Sequence, residues 1–125
     1  MKYNIKSKSF DLTPAISQYI EGRMAAIRKL IQQSDEGAIA DVEIEKITKH
    51  HRTGELYRAE INLTLAGQDL FRAEATEFNI YNALNAVKEE IIRQIKSKNK
   101  KQRSLSKKGG RQLKEIMRGF WPGRR

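Results

Sequence analysis

The spacing of hydrophobic residues changes several times along this chain, and the order of those changes is what most restricts the fold. Alternating apolar and polar residues indicate a half-buried strand, whereas apolar residues three and four positions apart indicate an amphipathic helix. Alternation occurs at residues 1–8, 40–49, 56–67 and 70–76, and helical spacing occurs at 14–31 and from about Asn79 onward. The predicted element order is therefore βαβββα.

Each predicted strand has one apolar and one polar face, so the sheet should be covered on one side only. Two helices with one apolar stripe each can provide that cover. The predicted fold class is α+β: a two-layer βαβββα domain with a four-stranded sheet and both helices on one face. The uncovered face should carry a nearly neutral mixture of charges and few aromatic residues, which argues against stacking of RNA bases on the sheet. Its predicted charged residues are Glu43, Glu45, Arg58, Glu60, Arg72 and Glu74.

The positive charge of the chain is concentrated near its C-terminus. The formal net charge is +10, yet residues 1–88 hold twelve basic and twelve acidic side chains, whereas residues 89–125 hold thirteen and three. A field of one sign at one end of a small protein attracts polyanions, so nucleic acid or an anionic membrane surface is the expected class of partner. The alternative is a disordered basic tail whose charge only maintains solubility.

The second predicted helix arranges part of this charge on one side. At 100° per residue, Arg93, Lys96, Lys100 and Arg103 fall within about 80° of one another, nearly opposite the apolar stripe. Lys98 projects toward the apolar side instead. Such a ridge can contact several phosphates, although a solvated charged face is the alternative interpretation.

Arg23 lies in the middle of the apolar stripe of the first helix. A guanidinium there must reach water or a partner, because burying it alone is costly. One hypothesis is a structural arginine that snorkels or pairs with a carboxylate. The other is that Arg23 emerges in the cleft between the helices and adds to the cationic surface.

Several classes of function lack the residues they require. The chain contains no cysteine, no apolar run of a signal peptide and no stretch near the roughly 20 apolar residues that span a bilayer. His50 and His51 lack the cysteines or spaced carboxylates of a metal site, and no nucleophile motif or glycine-rich phosphate loop is present. We therefore expect a soluble cytoplasmic protein that is not an enzyme and uses no metal, cofactor, membrane or small-molecule substrate.

The final segment, residues 104–125, is basic but not featureless. Leu113, Ile116, Met117 and Phe120 have the spacing of one helical face, and Trp121 follows them. Gly109 and Gly110 predict an interruption of the helix before it. The segment is interpreted either as a disordered extension, as an arm that stacks Phe120 or Trp121 on a base, or as a weak amphipathic membrane anchor.

Four stretches carry a resemblance to a known family. They read "LTPAISQYIEGRMAAIRKL", "VEIEK", "GQDLF" and "IYNALNAVKEEIIRQIKSKNKK", within residues 1–101. The chain resembles the bacterial ribosome hibernation-promoting factors and ribosome-associated inhibitors of the S30EA type. That resemblance implies a domain similar to double-stranded RNA-binding domains, which binds the small ribosomal subunit in the decoding channel and blocks mRNA and tRNA binding during stress or stationary phase.

The resemblance also implies which residues contact 16S-type rRNA. Its basic positions correspond to Arg23, Lys46, Arg93, Lys96, Lys98, Lys100 and Lys101, and the basic residues around them extend the predicted site to Arg28, Lys29, Arg103, Lys107, Lys108 and Arg111. Long family members carry a second, dimerising domain, for which this chain is too short, so a monomer is expected off the ribosome. The predicted organisation is an rRNA-binding domain over residues 1–103 and a tail, mobile when free, over 104–125. A general double-stranded RNA-binding or nucleoid protein is the alternative.

Overall fold

A computed structural model of the chain describes residues 1–32, 36–48, 54–66 and 69–120, with side chains as far as Lys101. Its elements are β1 (Lys2–Lys8), α1 (Pro14–Ile31), β2 (Ile39–Ile47), β3 (Leu56–Thr64), β4 (Leu70–Glu77) and α2 (Ile80–Phe120). The predicted βαβββα order is confirmed. Strands β2 and β3 end earlier than the alternation of residue types predicts, and His50 and His51 lie outside the described residues.

The four strands form one sheet in the order β1-β2-β3-β4. Strands β1 and β2 are parallel because α1 returns the chain to the same end of the sheet, whereas β2, β3 and β4 pair in antiparallel fashion. This arrangement confirms the predicted α+β class.

The chain forms two compact units, Met1–Gln94 and Ile95–Arg125, which are described separately. In the first unit one face of the sheet is buried, and the alternation along each strand decides which face it is. Strand residues such as Val42, Ile44, Ile61 and Leu63 are at most 1% exposed. The apolar stripes of both helices are buried as well, at Ile16, Ile20, Met24, Ile27 and Ile31 in α1 and at Ile80, Ala83, Leu84, Val87 and Ile91 in α2.

Both helices begin at residues that satisfy their first backbone amides. The Thr13 hydroxyl accepts a hydrogen bond from the amide of Ile16 at 3.2 Å, and Pro14 occupies the first helical position. The Asn79 side-chain oxygen accepts from the amides of Tyr81 and Asn82 at 2.7 and 3.3 Å. These caps fix where each helix leaves the sheet.

In the second unit α2 remains helical through Gly109 and Gly110. The predicted interruption at these glycines is therefore wrong. A glycine costs about 1 kcal/mol relative to alanine inside a helix, and the neighbouring Lys, Arg, Gln and Leu residues are good helix formers. The domain boundary after residue 103 and the mobility of the tail stay predictions.

The cap of α1 gives a test of this description. Replacing Thr13 by alanine removes the acceptor for the Ile16 amide and should lower the free energy of unfolding by about 1 kcal/mol. Thr13→Ser keeps an acceptor and should retain most of the stability. Urea denaturation of the three proteins checks this, and equal midpoints for the alanine and natural proteins would contradict the assigned cap.

Candidate nucleic-acid interface

The open face of the sheet is held by a network of ion pairs centred on Arg58. Its guanidinium lies 2.6 Å from Glu43 and 3.1 Å from Glu45, and it is also within 4 Å of Glu60 and Glu74. Hydrogen bonds from Lys8, and then from Arg58, lower the pKa of the Glu43 carboxyl. The charges of this network are therefore directed at one another.

The open face is electrically balanced. Its strand positions carry five basic and five acidic side chains, and none of the four described strands places an aromatic ring on it. The basic residues are Lys2, Lys6, Lys8, Arg58 and Arg72, and the acidic ones are Asp41, Glu43, Glu45, Glu60 and Glu74. The predicted neutral, aromatic-poor face is confirmed, and it offers no excess of positive charge to a polyanion.

Two predicted cations, Arg28 and Lys29, lie in the last turn of α1 and are exposed. Basic residues are favoured there because the last carbonyl groups of a helix carry partial negative charge. The Arg28 guanidinium donates a hydrogen bond to the Met1 carbonyl oxygen at 2.7 Å. The sequence places these cations correctly on the surface but does not reveal the contact with Met1.

Arg23 lies between α1 and α2. Its Nη1 donates to the Tyr19 hydroxyl at 3.1 Å and to the Asn85 side-chain oxygen of α2 at 3.3 Å. The guanidinium carbon also lies 4.4 Å from the centre of the Tyr19 ring, a cation–π distance. Among the described residues no carboxylate pairs with Arg23, so of the two structural alternatives, snorkelling and carboxylate pairing, the second is not seen there.

The surroundings of Arg23 leave part of its hydrogen-bonding capacity unused. Its Nε is buried and has no hydrogen-bond partner. Tyr19 is itself packed edge-to-face against Tyr81, with ring centres 4.9 Å apart. The Tyr19 contact could be anticipated, because residues four apart are neighbours on a helix. The Asn85 contact could not, because it depends on how the two helices pack.

Lys46 is paired in this structure. Its Nζ lies 2.8 Å from Glu55 Oε1, and this hydrogen bond raises the pKa of the Lys46 ammonium group. The side chain is 29% exposed, at the end of β2 on the helix-covered side of the sheet. An external phosphate would therefore compete with Glu55 for the Lys46 ammonium group.

Arg93 is also paired, with an acidic neighbour on the same helix. Its Nε lies 2.7 Å from Glu90 Oε1, three residues earlier on the exposed side of α2. The hydrogen bond from Arg93 lowers the pKa of Glu90. An exposed pair of this kind contributes little to stability because water screens it, so the guanidinium can exchange its partner at small cost.

In the second unit, the residues of α2 whose side chains the structure describes include four lysines and no acidic residue. Lys96, Lys100 and Lys101 are exposed, and none of them has an ion pair among the described residues, whereas Lys98 is half-buried. Residues 96 and 100 are four apart and are therefore neighbours on the helix surface. The side chains of Arg103, Lys107, Lys108, Arg111 and Phe120, and the whole of Trp121, lie outside the described residues.

Other kinds of site were also considered. Within the described ranges, no cluster of three or more histidine or acidic residues could hold a metal ion. None of the described helices is both long enough and apolar enough to cross a bilayer.

Comparisons with known proteins agree with the resemblance seen in the sequence. The sequence model of the Sigma 54 modulation protein / S30EA ribosomal protein family matches residues 3–103. The ribosome hibernation promotion factor of Bacillus subtilis is 30% identical over 111 residues, which are 87% of this chain and 54% of that protein. The Lactococcus lactis protein of the same name is 28% identical over 97 residues, 77% of this chain and 48% of that protein. The chain thus spans about half the length of these relatives.

A solved structure supports the fold assignment. The crystal structure of the Thermus thermophilus Protein Y N-terminal domain superposes with a TM-score of 0.61 at 26% sequence identity. The match covers 78% of this chain and 98% of that domain.

The open-face network predicts how stability depends on pH. The hydrogen bond from Arg72, and a weaker one from Asn62, lower the pKa of Glu60 below its usual value. Ionised Glu60 therefore stabilises the fold at neutral pH, and this contribution is lost as the pH falls from about 4.5 through the folded-state pKa. Glu60→Gln should be less stable by about 1 kcal/mol at pH 7, with the difference shrinking at lower pH.

Urea denaturation between pH 7 and pH 3 measures this effect. Glu21→Gln is the matched control, because Glu21 is an exposed carboxylate of α1 that has no ion pair among the described residues. A difference between the Glu60→Gln and natural proteins that stays constant over the whole pH range would contradict the stabilising role of the ionised carboxylate.

Proposed function

The chain belongs to the Sigma 54 modulation protein / S30EA ribosomal protein family, and from this premise we propose that it is a ribosome hibernation factor. It binds 16S-type rRNA in the decoding channel of the small ribosomal subunit and inhibits translation by excluding mRNA and tRNA during stress or stationary phase. The names of its curated relatives support the link to ribosome hibernation.

The observation that carries the proposal is the separation of charge over the protein. The open face of the sheet neutralises itself, whereas Lys96, Lys100 and Lys101 of α2 are exposed without an ion pair among the described residues. The sequence contains no acidic residue between Glu90 and Glu115. Each phosphate that such lysines neutralise releases condensed counterions, which drives binding to RNA.

The cations of the first unit add to this binding in two ways. Arg23 and Arg28 donate hydrogen bonds to neutral groups, and Lys29 is exposed in the last turn of α1. Lys46 and Arg93 exchange their carboxylate partners for phosphates, a replacement that costs little for the exposed pair of Arg93 with Glu90. The basic side chains beyond Lys101 are proposed to extend the contact along the rRNA, and Phe120 or Trp121 to stack on a base.

Inhibition by this route requires only that the protein occupies the decoding channel, and it involves no chemical reaction. A folded protein that fills part of the channel excludes mRNA and tRNA by volume, so no nucleophile, general base, metal or cofactor is needed. The protein therefore acts in the cytoplasm as a binding factor and not as an enzyme, and it approaches the ribosome as a monomer at low concentration.

The experiment that tests the proposal is sedimentation of the protein with separated small subunits, large subunits and whole ribosomes at several salt concentrations. Replacing Lys96 and Lys100 together by glutamine should weaken binding to the small subunit. The slope of log affinity against log salt should fall by about one unit or slightly less per lost contact.

The open face supplies a control with the same change in net charge. Lys2→Gln combined with Lys6→Gln removes two exposed lysines from the balanced face and should leave both affinity and salt slope close to those of the natural protein. Equal losses in the two double variants would mean that only net charge matters. Tight binding to free RNA duplex would favour a general double-stranded RNA-binding protein.

Arg23 can be tested separately. Arg23→Met keeps the apolar stem, removes the charge and removes a buried Nε that has no partner. Because no carboxylate is left unpaired, the free energy of unfolding should change by less than about 1 kcal/mol, while binding to the small subunit weakens several-fold. A large loss of stability with unchanged binding would show that Arg23 is structural, and a variant identical to the parent would exclude both roles.

A further inference from the structure

An aromatic cleft lies at the end of the sheet where both helices begin. It encloses about 290 Å³, and its walls include Phe10, Ile16, Tyr57, Phe78, Ile80 and Tyr81. Phe10 and Tyr57 pack edge-to-face with ring centres 5.6 Å apart. Phe78 is 78% exposed, the most exposed large hydrophobic residue of the described chain. A cleft lined by aromatic side chains, with an exposed phenylalanine at its edge, has the shape and the apolar walls of a binding site.

The residues around the cleft are mainly acidic. Glu77 is the register partner of Tyr57 on β4, so both side chains leave the same face of the sheet. Asp11 follows Phe10 directly, and the Tyr57 hydroxyl donates to Glu55 at 2.9 Å. Lys46 neutralises Glu55, which leaves Asp11 and Glu77 as exposed carboxylates without an ion pair among the described residues.

This combination of charge and surface restricts the partner. Exposed carboxylates repel the phosphates of RNA, although the aromatic rings alone would suit an unstacked base. A peptide segment that combines apolar residues with arginine and lysine fits both the aromatic walls and the acidic edge. The partner should therefore be a basic, apolar polypeptide.

The chain itself contains a segment with this chemistry. Residues 111–125 read "RQLKEIMRGFWPGRR", with five basic residues and one acidic residue. Leu113, Ile116, Met117 and Phe120 have the three- and four-residue spacing of one helical face, and α2 is helical as far as Phe120. Trp121 adds the only tryptophan of the chain.

We propose that the aromatic cleft binds residues 111–125 of a second copy of this chain. The association is heterologous, since the segment of one molecule enters the cleft of another. A cleft of this size gives a small interface, so the contact is weak and the protein is monomeric when dilute. This self-association does not depend on ribosome binding. It occupies residues 111–125, which are otherwise available to RNA.

The test uses the single tryptophan as a reporter. A synthetic peptide of residues 111–125 is titrated with full-length Trp121→Phe protein, which contains no tryptophan, so the emission comes only from the peptide. Binding should give a saturable blue shift. Adding Phe78→Ser to the Trp121→Phe protein should weaken it at least tenfold, and because Phe78 is exposed this change should not unfold the protein.

Leu70→Ser is the matched control, because Leu70 lies at the other end of β4 and is 65% exposed. It should leave peptide binding unchanged.

Sedimentation velocity of the natural protein should show a sedimentation coefficient that rises with concentration, and Phe78→Ser should abolish the rise. The proposal is overturned if the peptide does not saturate, if the Phe78 and Leu70 variants bind it equally, or if the natural protein shows no self-association. Binding of a short single-stranded RNA that Phe78→Ser removes, without saturable peptide binding, would show that a base occupies the cleft instead.

Discussion

The structure depends on the fact that its sheet is apolar on one face only. Both amphipathic helices of the first unit are needed to cover that face, with Ile20, Met24 and Ile27 from α1 and Leu84 and Ile91 from α2 at most 1% exposed. The other face remains in water, where an excess of one charge would repel itself. This face is stabilised by ion pairs between its arginines and the neighbouring glutamates, which leave it with little net charge. The cations proposed to bind a polyanion lie elsewhere, most of them on the helices and Lys46 at the end of β2.

The cations of the predicted rRNA site are not equivalent. Lys46 and Arg93 are held by carboxylates, and for each of them RNA binding exchanges one partner for another. Lys96, Lys100 and Lys101 have no ion pair among the described residues, so phosphates replace only water and counterions around them. Under the proposed function, most of the electrostatic driving force for RNA binding therefore comes from Lys96, Lys100 and Lys101. Lys46 and Arg93 mainly position the domain on the RNA.

Much of the fold was predictable because it follows from local pattern. Alternation and helical spacing gave the element order, and Thr13 with Pro14 gave the start of α1. The partners of the predicted site residues were not predictable, because they depend on packing between elements distant in sequence, as the contact of Arg23 with Asn85 does. The pair of Arg93 with Glu90 is local, but the count of basic and acidic residues over 89–125 does not show which charges are paired. The break predicted at Gly109 was wrong because a modest propensity cost did not outweigh its helix-forming neighbours.

The central claim is that binding of this domain to the small subunit excludes the ligands of the decoding channel. The most direct measurement is displacement of a fluorescently labelled mRNA and initiator tRNA from purified small subunits by increasing amounts of the natural protein. The account predicts that both ligands are released in proportion to the protein bound, and that neither rebinds until the protein dissociates. Stoichiometric binding of the protein with both ligands still in place would contradict it.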